Sequence, residues 1–296
     1  MLEAVLGLGK YAQGAAVRCL AGSARAILPM SELTAIPFAN VTFTIRRADD
    51  EPAFFAFGVR KSGSSVMNAM LSALAGMNGV HYVDVAGQLF ANGVRVVTWQ
   101  RDPALAALLH GGNLFGGFRN APLGLIDNPL LRSSRKVLLV RDPRDALVSE
   151  YFSNAYSHSI PKEGDMRTVM LTHRQNALRE SVDDYVKRMA PQLRNTLREY
   201  LPFLEMPQMR LYRYEQAIMD KRSFLVDVCD FFGWRVSGEQ LDQILGWADV
   251  RPQQEDPTRF IRKVTPGDHR EKLAPATIAA LNHTLADVLD RFGYEP

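Results

Sequence analysis

The residues from Phe54 to Asn68, FFAFGVRKSGSSVMN, are of the types that hold an anion. Four apolar residues, Phe54 to Phe57, run on through Gly58 and Val59 and read as a buried strand. Arg60, Lys61, Ser62, Gly63, Ser64 and Ser65 follow, and Val66, Met67, Met70, Leu71 and Leu74 then recur at helical spacing. A strand, a short basic loop and a helix aim free backbone N–H groups and a helix N-terminus at a phosphate-like group. Gly63 lets the backbone approach closely, Ser64 and Ser65 add hydroxyl donors, and Lys61 adds a mobile positive charge. The pattern departs from the Walker loop, in which a Lys follows the last Gly; here Lys61 precedes Gly63 and none follows it. Taken alone, the stretch is equally a basic strand-to-helix turn.

A second stretch changes that balance. In RKVLLVRDPRDALVSEYFSNAYSHS, from Arg135 to Ser159, Val137 to Val140 is another buried-strand run with Arg141 at its C-terminal end. Asp142 and Pro143 open a helix as N-cap and first-turn residue. Ser149 lies eight residues after Arg141, two turns into that helix, so both side chains can reach one phosphate. Arg144, between Asp142 and Asp145, reads as a helix-start ion pair.

The two stretches together, 80 residues apart from Lys61 to Arg141, resemble the two signatures of the sulfotransferase family that uses 3′-phosphoadenosine 5′-phosphosulfate (PAPS). The resemblance runs from about residue 50 to the C-terminus. It implies that Lys61 holds the 5′-phosphate and stabilises the leaving oxygen, with Arg60, Ser62, Gly63, Ser64 and Ser65 around the same group. It implies that Arg141 and Ser149 bind the 3′-phosphate. The segment FIRKVTPGDHR, Phe260 to Arg270, is similar to the family's nucleotide-covering stretch: Arg262, Lys263 and Gly267 are in place, whereas Val264 stands where a Gly is usual and His269 where a Trp is usual. Tyr214, in the pair Tyr214-Glu215 at a strand end, takes the place of an adenine contact or is a core Tyr with its hydroxyl satisfied.

The general base is not legible. The stretch matching the family's usual His-bearing segment, Gly117 to Pro122, has no His. Carbohydrate-directed relatives use a carboxylate beyond the loop Lys, which makes Asp84, 23 residues past Lys61, the leading candidate, with His81 and His110 as alternatives. Arg119, at a strand end, holds an acidic acceptor or is simply paired. Two rivals stand beside the transferase reading. A P-loop kinase or other NTPase is disfavoured by the missing Lys after Gly63, and a non-catalytic nucleotide-binding module is favoured by the missing His.

The composition is consistent with a family of this kind. A chain of 296 residues, 47 % apolar, has room for one large α/β domain with small additions. A net charge of +3 provides no bulk attraction for nucleic acid, so no nucleic-acid partner is expected. Cys19 and Cys229 are far apart with no CxxC, and the six histidines form no HExxH; this argues against disulfide and metal frameworks and for a reducing compartment. No metal is expected.

The elements that must position these groups alternate between strand and helix. Strand readings are Val41 to Ile45, Phe54 to Val59, Val80 to Val85, Val94 to Thr98, Leu114 to Phe118, Val137 to Val140 and Met209 to Tyr214. Helices are expected after the loop, from Pro103 to Leu109, from Pro143 to about Tyr156, from Val182 to Tyr200 with a stop at Pro202, and over 224–232, 239–247 and 275–292. Ser159 to Met166, with Pro161 and Gly164, reads as a loop that gates a cleft or merely connects. The expectation is an α/β fold: a parallel sheet covered by helices on both faces, a P-loop-like three-layer architecture with ligands beyond the C-terminal strand ends. Residues 41–296 would form the sulfotransferase domain, and residues 1–40 a helical arm. Glu3, Lys10, Arg18 and Arg25 share one face of that arm, which either lies on a membrane as an interfacial helix or packs on protein. No run of about 18 uncharged apolar residues occurs, so the expectation is a soluble cytoplasmic protein, with peripheral membrane contact through residues 1–30 as one reading. The acceptor is expected to be a hydroxyl on a carbohydrate, lipid or small metabolite, and an oligomer is compatible with the sequence.

Overall fold

The structure, a computed structural model, describes residues 33–158, 160 and 165–296. Seven strands occur among them: β1 Leu33–Phe38, β2 Val41–Arg46, β3 Phe54–Gly58, β4 His81–Asp84, β5 Asn113–Phe118, β6 Arg135–Val140 and β7 Met209–Arg213. The helices that matter for the site are α1 Ser64–Met77, α2 Val85–Ala91, α3 Pro143–Phe152, α4 Asp165–Arg179, α5 Val182–Leu204, α6 Tyr214–Ala217, α7 Lys221–Phe232, α8 Gly238–Ala248, α9 Asp268–Lys272 and α10 Pro275–Phe292. No described helix is long and apolar enough to cross a membrane.

The strands β3 to β7 form one parallel sheet in the order β4-β5-β3-β6-β7. The first strand of that sheet is therefore its centre; the chain goes first to the edge strand β4, returns with β5 between it and β3, then builds outward on the other side through β6 and β7. Such a reversal leaves a crevice at the C-terminal ends of the central strands. Every residue of β3 is buried, and its side chains alternate between two cores. Phe55 and Phe57 pack on the face that holds Tyr200 and Phe203 of α5 and Leu285 of α10. Phe54 and Ala56 face Met67 and Leu71 of α1 with Leu225 and Phe232 of α7. The period-two alternation of a strand thus supplies apolar contacts to helices on both faces, which makes the three layers.

Four local expectations are corrected. Leu33–Phe38, inside the segment expected to be a helical arm, is a strand paired antiparallel with β2 through a two-residue turn in which Ala39 and Asn40 both take positive φ; residues 1–32 lie outside the described residues. Val94 to Thr98 is not a strand: Val96–Trp99 is a helical turn that buries Trp99, whose ring lies 6.2 Å from Phe118. Strand propensity there is overridden by the burial of one large side chain. Pro202 does not stop α5, which runs on to Leu204 because Tyr200 and Phe203 are buried on its inner face. Finally, α4 begins inside the stretch read as loop, and residues 159 and 161–164 lie outside the described residues.

Candidate active site

The loop after β3 is shaped by backbone constraints. The Ser62 N–H and Oγ both donate to the Val59 carbonyl, at 3.2 and 2.6 Å, closing a tight turn. Lys61 and Gly63 take φ of 63° and 80°. A residue larger than Gly at 63 would be strained by its φ and would crowd the Tyr214 ring at 3.1 Å. Gly58 admits no Cβ either, since one would lie 2.6 Å from Ser64 Cβ; this lets α1 start hard against the strand end. The helix begins at Gly63 with no side-chain cap and no acidic residue in its first turn, so its positive end is open to an anion.

Cations converge on this loop. Burial lowers the Lys61 ammonium to about 8, and the charges of Arg141, Arg119 and Arg262 push the same way against the opposing pull of Glu150. Arg141, buried at the end of β6, has Nη1 3.5 Å from the Lys61 carbonyl and Nη2 3.5 Å from Asp145, its guanidinium 4.4 Å from the Tyr214 ring centre, and its Nε unpartnered. These are long contacts, so most of its hydrogen-bonding capacity is unspent. Arg119 donates to the Ser65 hydroxyl at 3.0 Å and to the Gly117 carbonyl at 3.2 Å, which ties the end of β5 to the first turn of α1. Arg60 lies 3.1 Å from Glu150, with Nε and Nη2 unpartnered.

The turn that presents Arg141 is held from two sides. Asp142 caps α3 and pairs with Arg144 at 2.8 Å, as the sequence suggested, and Arg144 also donates to Asn282 and to the Glu295 carbonyl. Glu215 accepts from the Asp142 N–H and from the Tyr294 hydroxyl, both at 2.9 Å. In the first turn of α3, Asp145 accepts from the Gly267 N–H at 2.7 Å, from the His269 N–H at 2.9 Å and from His269 Nδ1 at 2.7 Å. Burial alone would raise the Asp145 carboxyl, but the His269 hydrogen bond and the Arg141 charge outweigh it and hold it well below the usual carboxylate range. One carboxylate therefore docks the 262–270 segment onto the helix that carries Ser149.

That segment delivers Arg262 but not Lys263. Arg262 is buried between Glu255 and Asp268, with its guanidinium 4.3 Å from the Phe152 ring centre. Lys263 is drawn into ion pairs with Asp268 and Glu271 at 3.3 and 2.6 Å. Gly267 takes φ of 87° and its N–H is spent on Asp145. Tyr214 donates its hydroxyl to the Val264 carbonyl at 2.7 Å, packs its ring on Gly63 and lies beneath Arg141. It braces the loop after β3, the end of β6 and the 262–270 segment against one another, which is the role of a satisfied core Tyr.

The base candidates separate sharply. In parallel strands all C-terminal ends lie together, so residues at N-terminal ends are on the far side. His81 begins β4, pairs in register with Asn113, and has Nε2 3.0 Å from the Thr44 carbonyl. His110 precedes β5 and pairs with Asp49 at 2.8 Å. Both lie at the wrong end of the sheet and are ruled out as bases. Asp84 ends β4 on the correct side. It accepts from the Gly87 N–H at 3.1 Å as cap of α2 and fits against Gly117, where an added Cβ would lie 1.8 Å from Oδ1. Burial raises its carboxyl, opposed by Arg119 and the Gly87 N–H.

Two site residues were missed from the sequence. Glu150 is buried beside Lys61 and Arg60. His158 ends the π turn Ser153–Ser157 that prolongs α3, and Lys61 is the leading charge acting on its imidazole. Glu150 could have been found as the neighbour of Ser149. Nothing in the spacing announces His158, because nine residues past Ser149 on a regular helix is the opposite face, and the chain leaves helical geometry at His158 itself. Among the described residues no group of three or more His, Cys, Asp or Glu side chains could hold a metal ion.

Comparison with known proteins agrees with this geometry. The chain is 26 % identical over 170 residues to a 3-beta-hydroxysteroid sulfotransferase of Cavia porcellus, covering 54 % of this chain and 55 % of the relative. A 3-alpha-hydroxysteroid sulfotransferase of the same species is 27 % identical over 169 residues, covering 56 % of this chain and 51 % of the relative. The chain thus aligns with about half the length of these relatives. The crystal structure of mouse sulfotransferase SULT7A1 complexed with PAP shares the fold, with a TM-score of 0.52 at 12 % identity over 86 % of this chain and 95 % of that one. Residues 51–293 match the sulfotransferase domain family, to which this chain belongs.

Proposed function

We propose that this protein is a PAPS-dependent sulfotransferase that moves a sulfuryl group to an acceptor hydroxyl. The observation that carries the reading is the convergence of Arg119, Arg141 and Arg262 on Lys61, beside an uncapped helix N-terminus, in a crevice at the ends of the central strands. Such crowding of like charges is costly unless an anionic ligand relieves it. The residues fit a donor with two separated phosphates. Arg141 Nε and two nitrogens of Arg60 are buried without partners, and the loop offers N–H groups framed by two positive-φ residues.

PAPS would supply a sulfuryl group already linked to a phosphate leaving group. We read Lys61, with Gly63, Ser64 and Ser65, as the cradle of the 5′ group, where the ammonium would stabilise charge on the departing oxygen, while Ser62, whose N–H and Oγ are both spent on the Val59 carbonyl, shapes the turn. We assign Arg141, Ser149 and Arg262 to the 3′-phosphate: Ser149 lies on α3 two turns beyond Arg141, and Asp145 of that helix holds the segment that carries Arg262. Asp84 and Arg119 line the acceptor side at the ends of β4 and β5. The acceptor is the hydroxyl of a carbohydrate, lipid or small metabolite; the hydroxysteroid sulfotransferases among the relatives make a steroid alcohol the first compound to try.

Calorimetry with adenosine 3′,5′-bisphosphate and with ATP tests the donor. The bisphosphate is expected to bind at least tenfold more tightly, and tighter binding of ATP would sink the reading in favour of a kinase or NTPase. Sulfate transfer to a panel of hydroxysteroids, phenols and sugars, with Lys61→Ala as control, separates a transferase from a non-catalytic module.

A further inference from the structure

We propose that Tyr294 is a positioning residue for the donor's 3′-phosphate, acting on Arg141 through Glu215. The proposal rests on the donor reading above and deepens it at the 3′ end. Two consecutive residues of α6 support Arg141. Tyr214 lies beneath its guanidinium, with the ring centre 4.4 Å away. Glu215 accepts at 2.9 Å from the Asp142 N–H, which lies in the same peptide plane as the Arg141 carbonyl. That bond fixes the backbone rotation from which the arginine is presented, and its charged acceptor makes it one of the stronger kind. A carboxylate held by one oxygen is still free to turn. Tyr294 removes that freedom by donating its hydroxyl to the second Glu215 oxygen at 2.9 Å.

The residues around Tyr294 tie down the same two elements. Gly293 ends α10 with φ of 75°, and the Tyr294 N–H donates back to the Leu289 carbonyl at 2.8 Å, which turns the chain off the helix. Arg213, which ends β7, donates to the Gly293 carbonyl at 2.6 Å, and its guanidinium lies 5.9 Å from the Tyr294 ring centre. Arg144, in the first turn of α3, donates to the Glu295 carbonyl at 2.7 Å and to Asn282 of α10 at 2.8 Å. Residues 293–295 thus strap the end of β7 to the start of α3, at the turn that carries Arg141. Their hydrogen bonds run to β7, α3, α6 and α10, and among the described residues the loop after β3 receives none of them. The strap therefore bears on the 3′ end of the site and not on the 5′ end. Burial, followed by the Glu215 charge, raises the Tyr294 hydroxyl far above the usual phenol range, so it remains a donor. Glu215 is itself no ligand for a phosphate, because like charges repel; it acts only through the turn.

The experiment compares calorimetric affinities for adenosine 3′,5′-bisphosphate and adenosine 5′-monophosphate, in the full chain and in variants of it, well below each melting midpoint. The ratio of the two affinities reads the 3′ end alone. Tyr294→Phe keeps the ring and loses the hydroxyl. It is expected to lower that ratio by about five- to tenfold, through the bisphosphate, with the monophosphate held within about twofold. Glu215→Ala, which loses both contacts, is expected to lower the ratio further. Glu215→Gln, whose amide accepts from the Asp142 N–H and donates to the Tyr294 oxygen, is expected to regain most of that loss. An unchanged ratio in Tyr294→Phe overturns the proposal. So does an equal loss for both nucleotides, which would make Tyr294 a support of the whole site, and so does a Glu215→Gln no better than Glu215→Ala. If the unaltered chain binds the bisphosphate no more tightly than the monophosphate, the donor reading itself fails, and the proposal with it.

Discussion

Two lysines at opposite ends of the same sheet both fall to about 8, burial leading in each, yet their partners differ. Lys136, at the N-terminal end of β6, is fully buried and donates to the carbonyls of Arg132, Ser134 and Pro207 at 3.1, 2.6 and 2.8 Å. Burial lowers it, with a smaller push from Arg132. Its three donors are all used, so it ties β6 to the turn before β7 and leaves nothing for a ligand. Lys61 is lowered by burial and by three guanidiniums, with Glu150 alone among its named neighbours acting the other way. One end of the sheet has its charges matched: Arg46 with Glu51 at 2.6 Å and His110 with Asp49 at 2.8 Å. The other end keeps cations crowded together. An isolated charge imbalance of that sort marks a functional site, whereas a satisfied buried charge marks architecture.

The contrast can be broken most sharply at Lys61. Lys61→Met is expected to reduce kcat by about 10³-fold or more, while raising stability by up to about 3 kcal/mol, because it removes a charge that the fold disfavours. A melting curve that moves down rather than up would contradict the site reading. The sign follows from proton linkage. Both lysines fall from an ordinary value of 10.5 to about 8, so between these limits the unfolded chain holds more protons, and stability rises with pH across that window. Lys61→Met should remove one of the two contributions to that slope in denaturation measured from pH 8 to 10.5.

Lys136→Met is the mirror experiment. It strands the three carbonyls that the ammonium holds, Ser134's within the core and those of Arg132 and Pro207 at its margin, and is expected to cost about 3 kcal/mol, with kcat at a permissive temperature within about threefold. Denaturant titration and a rate measurement on the same sample check it.

A smaller, selective effect is expected at the Asp145–His269 contact. His269→Ala should weaken adenosine 3′,5′-bisphosphate by about 10- to 50-fold and leave the weaker binding of ATP nearly unchanged, because the contact positions the Arg141 and Arg262 end of the site. Equal losses for both nucleotides would show that His269 supports the whole loop instead. The smallest effect belongs to the paired end: His81→Ala and His110→Ala should leave kcat unchanged and cost about 1 kcal/mol of stability, the net worth of the hydrogen bond each half-buried ring makes. A rate loss in either would undo the assignment of the two sheet ends.

Much of the fold was readable because its signals are local. The apolar runs at Phe54 to Phe57 and Val137 to Val140, the Asp142-Pro143 helix start and the Gly233 stop after α7 each report on a few neighbouring residues. The hairpin strand Leu33–Phe38 escaped notice because its period is broken by Pro37 and its meaning depends on a partner. The helix α4 escaped because Ala177 is its one fully buried apolar residue among those described, so it has little periodicity to read.

What the chain determined by composition and spacing alone was the kind of scaffold and the two cationic loops, since a phosphate-binding turn is built from contiguous residues. What only the folded molecule decided was which charges meet. Asp145 and His269 are 124 residues apart, and Lys61 and Arg141 are 80 apart, and no one-dimensional pattern brings them together. The direction of parallel strands sent His81 and His110 to the end of the sheet opposite the Lys61 loop. Local geometry follows from local sequence, but electrostatic company is a property of topology.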